Sequence, residues 1–475
     1  MCRKIILLYL WIYILNNSFA QLPISLDSEK ELFKNAKLIQ KKDFHTAIRP
    51  FYQQTNDTFF LHPIIESHFF VGTDNFGIMG IGPELYLKKN KFSIWLSLPI
   101  GIAKNPQWWT NTTIPFIGKA YTEKNIKLWF DPQFIISYST KRITFETGRK
   151  KFHLGEGLNS VWLDHYAPAL PFFRAVVRVP HIVYAYHIHY LQNPDLRNNG
   201  NLYHAFNFSH YFDFNIGPLT INMFETVIQD PIDSLGAYRG LDINYLNPVI
   251  FFRAIDLMLG SPDNVLLGLG GSLRIRKKIL IYGYGILDEM IISELLAGTK
   301  CWCLKYGANA GIKVFQTLEE KQILVFQSEI SGIRPYTYSH LNPILAYGNL
   351  YQPLAHPLGA NFYQSSTRIV YLKKEKTSIQ LLVKAAIFGQ DIDTLNYGKN
   401  IFRSYNTRIA ETGITTTQGE KKSLIYMQLT ISKKLKNKHW IRTGIIYTIQ
   451  KNTPNLFFLN LAFTKNLITT TWDWR

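Results

Sequence analysis

Between Pro180 and Gln192, three histidines alternate with apolar and aromatic residues. His181, His187 and His189 fall on one parity, with Ile182, Tyr184, Tyr186, Ile188 and Tyr190 on the other. Imidazoles two residues apart in extended chain share a face, where they could hold a metal ion or serve as a base to a nucleophile. No Ser-His-Asp order, HExxH or GxSxG accompanies them. The simpler reading is a wet strand face opposite a greasy one. A second set gathers Glu225, Asp230, Asp233, Arg239, Asp242, Arg253 and Asp256. Paired carboxylates are the equipment of glycosidases, but spacing alone does not pair them, and a charged network on a lumen wall accounts for them as well. The run Gly148–Gly157, with Arg149, Lys150, Lys151 and His153, could cradle an anion. It lacks the spacing of a Walker loop and reads as a strand end entering an outer loop. Neither a catalytic residue nor a metal or cofactor site is expected.

Aromatics offer a different chemistry. Trp108, Trp109, Tyr336, Tyr338, Tyr347, Tyr351 and Tyr363 lie in or beside stretches without regular patterning. Ring faces stack on sugars and tyrosine hydroxyls bond sugar hydroxyls, although the same residues also form girdles at membrane interfaces. With the cations and imidazoles above, they nominate a polysaccharide-binding set: Trp108, Trp109, His187, His189, Arg239, Arg253, Tyr336 and Tyr351.

The elements that must position these residues are strands. Ile81, Leu85 and Leu87 alternate with Gly82, Glu84 and Tyr86, and Phe92, Ile94, Leu96 and Leu98 with Ser93, Trp95 and Ser97. The two runs meet at Lys88–Lys91, a polar turn suited to a hairpin. Similar hairpins turn at Lys277–Lys278, Lys373–Lys376, Leu435–Lys438 and Lys465–Asn466. Long irregular stretches separate them: Lys104–Asn125, Leu154–Pro180, Asp230–Asn264, Ser331–Asn361 and Gly389–Glu420. Short turns at one end and long loops at the other, on alternating strands, describe a transmembrane antiparallel β-barrel. Closure satisfies every backbone group that lipid cannot. Sixteen to nineteen candidate strands and the even-number rule give sixteen or eighteen. Trp472 and Trp474 are assigned to the last strand.

Hydropathy and export signals agree. The longest apolar runs, such as Ile279–Leu287, fall far short of the ~18–20 residues of a spanning helix. Residues 1–20 read as a Sec-type signal peptide: Arg3 and Lys4, an apolar stretch from Ile5 to Leu15, and Ser18-Phe19-Ala20 before Gln21. Residues 21–60 form a periplasmic helical and extended prelude, with Leu32, Ala36 and Ile39 at helical spacing, and residues 61–475 the barrel. Cys301 and Cys303 read as ordinary wall residues, since i, i+2 Cα atoms in extended chain sit near the limit for a disulfide. The formal charge of +19 suits anionic polysaccharide or lipid phosphate. A nucleic-acid partner is not expected of an exported chain without a binding module.

Several stretches resemble one family. They are His45–Pro50, Gly148–Gly155, Phe224–Thr226 with Tyr245–Pro248, and Leu354–Phe362. They are similar to the capsule-assembly Wzi-like outer-membrane proteins, in particular to the gliding-motility RemB branch. The resemblance implies a barrel of about eighteen strands with a small periplasmic helical element. It also implies a surface lectin that holds exported polysaccharide without breaking it, in capsule attachment or gliding. It carries over no catalytic residues. The expected partners are surface polysaccharide, outer-membrane lipid and the barrel-insertion machinery. Two other functions stay open: a transport channel for a nutrient or hydrophobic solute, and an outer-membrane hydrolase using His187, His189 or Asp242.

Overall fold

A computed structural model describes residues 58–465, apart from 74, 105–112, 115–117, 124–125, 196–200, 233–235, 248–262, 277, 320–321, 374–375, 436–438 and 451–454. The expected leader and residues 21–57 of the expected prelude lie outside the described residues, as do Trp472 and Trp474, while residues 58–60 already belong to the first strand of the wall. The first strands are β1 (Thr58–Gly72), β2 (Phe76–Lys89), β3 (Phe92–Ser97 and Ile100–Lys104), β4 (Ile126–Phe130 and Gln133–Ser139), β5 (Ile143–Lys150) and β6 (Leu170–Val179). Next come β7 (Ile182–Asp195), β8 (Asn201–Ile216), β9 (Leu219–Ile228), β10 (Asn264–Ile275), β11 (Ile279–Glu289) and β12 (Lys305–Glu319). The last are β13 (Gln322–Ile333), β14 (Phe362–Lys373), β15 (Thr377–Gln390), β16 (Glu420–Lys434), β17 (His439–Gln450) and β18 (Leu456–Lys465). Strands β3 and β4 are interrupted opposite one another, at Pro99 and Pro132, because proline cannot donate to the ladder.

Each strand pairs antiparallel with the next, and β1 pairs with β18 from Ile65↔Lys465 to Gly72↔Phe458. Among the described residues the ring of eighteen strands closes on itself. It is a closed barrel of eighteen antiparallel strands. The ring closes on Leu456–Lys465; the expected hairpin at Lys465–Asn466 runs beyond residue 465, outside the described residues. Strand β15 shows the pattern that builds the wall: Ser378, Gln380, Leu382, Lys384 and Ala386 are buried, while Ile379, Leu381, Ala385 and Ile387 face outward. The outward band continues through Ile81, Leu269, Ile281, Ile330 and Leu461, all exposed. Such a belt of aliphatic side chains is at rest only in lipid. No described helix is long and apolar enough to cross a membrane.

Turns sort by length as the sequence requires. The links β2–β3, β4–β5, β6–β7, β8–β9, β10–β11, β12–β13, β14–β15 and β16–β17 are short and lie at one end. Several place a residue in the left-handed region, including Asn90 (φ 54°), Gly217 (φ 60°) and Arg276 (φ 48°), as tight hairpins demand. His181 joins them with φ 68°, so it is an exposed turn residue and not a wall partner of His187. Long loops leave the opposite end, the extracellular end by the barrel rule. Two expected loops were too long: Leu170–Val179 is strand β6, and within Lys104–Asn125 the segment Gly118–Glu123 is a strand paired with the Ile126–Phe130 part of β4.

Candidate functional site

The 151–169 loop, from β5 to β6, turns into the bore. All its residues are buried. Its tip reaches the far wall, where Glu329 on β13 accepts from the backbone N–H groups of Leu158 (2.7 Å) and Asn159 (3.1 Å) and from the Tyr282 hydroxyl (2.8 Å). Asn309 on β12 donates to Asn159 O at 2.9 Å, and Lys384 on β15 donates to Asn159 Oδ1 at 2.9 Å. Lys313 pairs with Glu156 at 2.7 Å. Strands β12, β13 and β15 stand roughly half-way round the ring from β5, so the loop spans the bore. Trp162 seals it to the wall, stacked on Phe224 and donating from Nε1 to Gly285 O at 2.8 Å. Above it lies the 334–361 loop: Tyr338 donates to Val161 O, and Asp164 N–H donates to Leu354 O. Two inward loops thus occupy the bore and meet several of its buried polar groups, where an unpaired group would be costly.

A different surface forms at the long-loop rim, from the 290–304 and 391–419 loops with the edge of 334–361. A short helix α1 (Ile292–Ala297) ends at Gly298, whose φ of 64° reverses the chain. Cys301 and Cys303 follow, joined by a disulfide. This corrects the wall-residue expectation. The segment is a loop, its backbone is not extended, and the Cα atoms come within 5.2 Å. Trp302, held between the two cysteines, presents its indole beside Tyr405 (centroids 4.6 Å) and the Arg408 guanidinium (4.3 Å). Its Nε1 donates to Glu411 at 2.8 Å, and Arg408 pairs with the same carboxylate. Those bonds hold the Glu411 carboxyl below the usual carboxylate range, the Arg408 bond first. His340 meets the edge of Tyr405 at 5.9 Å, and burial, with Lys305 nearby, lowers its imidazole to about 3, so it stays neutral. Rings, a guanidinium, a neutral imidazole and an exposed carboxylate on a fixed frame suit a sugar chain far better than a reacting bond.

The residues nominated from sequence scatter. Trp108, Trp109 and Arg253 lie outside the described residues. His187 and His189 are on one lumen-facing strand side as expected, but each is only 1% exposed and packed against Phe152 of the inward loop, closed to a polymer. Tyr336 is likewise buried, its hydroxyl donating to Asn396 O at 2.8 Å, so it offers no ring face to a ligand. Tyr351 remains accessible at 39%, beside Phe402. Arg239 is paired with Asp242 (2.9 Å) and Asp263 (3.1 Å).

That cluster does not line the lumen, contrary to expectation. Its neighbour Tyr245 packs on Tyr186, Phe208 and Val227, which belong to the outward strand faces. The described segment around Tyr245 thus packs on the outside of the wall. His187 and Asp242 are on opposite sides of the sheet and cannot act together. Trp302, Tyr405, Arg408 and Glu411 were missed. The one available signal was a tryptophan locked between two cysteines.

No protein-family model and no curated protein matches the sequence. Among solved structures, the chain is similar to Wzi of Escherichia coli, an outer-membrane protein described as involved in group 1 capsule assembly and as a carbohydrate-binding β-barrel. The identity is 11%, the coverage 84% of this chain and 83% of that one, and the TM-score 0.54. The fold is that of an outer-membrane β-barrel. Weaker likenesses, which support nothing further, include OccAB4 of Acinetobacter baumannii (6% identity, 87% and 98% covered, TM-score 0.47). OccK8 of Pseudomonas aeruginosa is another (6%, 85% and 97%, TM-score 0.46).

Proposed function

We propose that this protein is a non-enzymatic outer-membrane barrel, exported through its N-terminal leader, that holds surface polysaccharide at the extracellular rim for capsule attachment or gliding. The observation that carries this reading is the disulfide-framed stack of Trp302, Tyr405 and Arg408 on the long-loop face. Aromatic and guanidinium planes bind sugar rings without needing to distort them. The net charge of +19 favours an acidic polymer. The carbohydrate binding named for E. coli Wzi, on the same fold, points the same way. Trp108, Trp109, Arg253 and Tyr351 are candidates to extend the surface along neighbouring loops. A bore spanned by the buried 151–169 loop weighs against the alternative, a channel for a nutrient or hydrophobic solute.

The test is made in cells and with purified protein. A deletion strain should retain less surface-bound polysaccharide or spread less on agar, and Trp302→Ala should reproduce the defect at normal barrel levels. In detergent, that variant should bind the host's own polysaccharide about tenfold more weakly, the loss of roughly 1.4 kcal/mol expected of one stacking platform. Unchanged retention, spreading and binding would reject the reading. A steady open conductance from the wild-type protein would favour the channel instead.

A further inference from the structure

The inward loop carries a cluster that the polysaccharide reading does not use. His153 stands on its descending arm, and Asp164 and His165 on its returning arm. Leu154 N–H donates to Leu163 O at 2.9 Å and zips the arms together just beside them. His165 Nδ1 lies 2.9 Å from Asp164 Oδ1 and 3.1 Å from His153 Nδ1, and His153 Nδ1 lies 3.7 Å from the same Asp164 oxygen. The side chains of His153 and Asp164 are fully buried, and that of His165 is 11% exposed.

We propose that His153, Asp164 and His165 bind one transition-metal cation of the zinc class, which cross-links the two arms of the loop inside the barrel. A tetrahedral ion with bonds of about 2.0–2.1 Å spaces its ligands about 3.3 Å apart. The three distances here bracket that value. A circle through the three atoms has a radius of about 1.9 Å, so an ion at bonding distance from all three sits slightly out of their plane. Two imidazoles and one carboxylate suit Zn²⁺ or Co²⁺ and do not suit Ca²⁺ or Mg²⁺. The carboxylate is already aimed: Ser160 N–H donates to Oδ2 at 2.6 Å and Tyr166 N–H to Oδ1 at 3.1 Å, the kind of outer support that orients a metal ligand. Lys151 and Lys384 lie close enough to act on this group, which further disfavours a hard ion held by charge alone. Three protein ligands leave a fourth position for water.

The site is independent of what the rim binds. Full-length mature protein without a polyhistidine tag, in detergent and stripped by a chelator, is titrated with Co²⁺. One equivalent should give the visible bands of tetrahedral cobalt, bleached by equimolar Zn²⁺. The doubly substituted His153→Gln/His165→Gln protein should lose the bands, and the exposed-turn control His181→Gln should keep them. Absent bands, or bands that persist in the double variant, overturn the proposal. If the double variant fails to form a barrel, hydrogen exchange on the wild type decides. Zn²⁺ should slow exchange across 151–169 and leave 391–419 unchanged, and equal exchange with and without the ion refutes the site.

Discussion

Two sets of loops leave the same end of the barrel and meet opposite fates. The 151–169 loop dives inward and spends Glu156, Asn159 and the Leu158 N–H on the wall, while the 290–304 and 391–419 loops stay at the rim and gather Trp302, Tyr405 and Arg408 there, half-buried. The difference follows from what each meets. The lumen offers Glu329, Lys313, Asn309 and Lys384, buried groups that need partners. The loop supplies them: two backbone N–H donors for Glu329, and acceptors on Glu156 and Asn159 for Lys313, Asn309 and Lys384; leaving them bare would be costly. At the rim there is water, so no such demand exists, and a disulfide does the fixing instead. One region is therefore built for closure and the other for contact.

The contrast breaks most sharply at Glu329. Replacing it by alanine orphans two backbone N–H groups and a tyrosine hydroxyl, each worth about 1–3 kcal/mol when buried without a partner. Glu329→Ala should free the loop tip, make 151–169 the first site of proteolysis, and raise single-channel conductance from near zero. Polysaccharide binding at the rim should be unaffected. If conductance and cleavage stay at wild-type levels, the loop is held by its apolar contacts and the polar tether is secondary.

A second probe sits where the two regions touch. Lys399, from a rim loop, is buried and donates to Leu358 O (2.5 Å) and Ala360 O (3.2 Å) of the inward loop above the bore. Burial lowers its ammonium to about 7. The unfolded lysine, near 10.4, holds its proton over the range in which the folded one has lost it. Stability of this contact therefore rises with pH from about 7 to about 10 and is lowest below 7. The protection of amides at 391–404, after correction for base-catalysed intrinsic exchange, should rise across that window in the wild type and stay flat in Lys399→Met. A slope of the opposite sign would mean that the ammonium is stabilised by a charge partner.

How much of this could be read from the chain differs between the same regions. The lipid-facing wall was legible because one face of each strand meets hydrocarbon and the other meets polar lumen, as in β15, and because lysine-bearing turns such as Lys88–Lys91 punctuate it. Strand β6 was not. Its inward residues Phe172 and Val176 pack on the inward loop, so the alternation that marks a half-wet strand is blurred, and Pro171 reads as a break. The direction of loops was also invisible. Tyr336 and Tyr351 look alike in sequence, yet one is buried and the other exposed, because the choice depends on partners in another loop, Asn396 for one and Phe402 for the other. His153 and His165 were unrelated letters until the loop closed on itself. The rim stack failed for the same reason, since Tyr405 and Arg408 reach Trp302 only through folding.

The smallest effect tests the rim alone. Glu411 is 68% exposed and now occupies Arg408, while also accepting from the Trp302 indole. A uronate or sulfate on a bound chain would have to displace it from the guanidinium and would feel its charge throughout. Glu411→Gln keeps the shape and the indole acceptor and removes the competitor. Affinity for an acidic polysaccharide should therefore rise about two- to threefold at low salt, and the gain should fade as salt screens it. A neutral polymer should not distinguish the variant from wild type. Weaker binding of both polymers would assign Glu411 a direct bond to sugar hydroxyls, and the cations at the rim would then be there to hold the platform and not to choose its ligand.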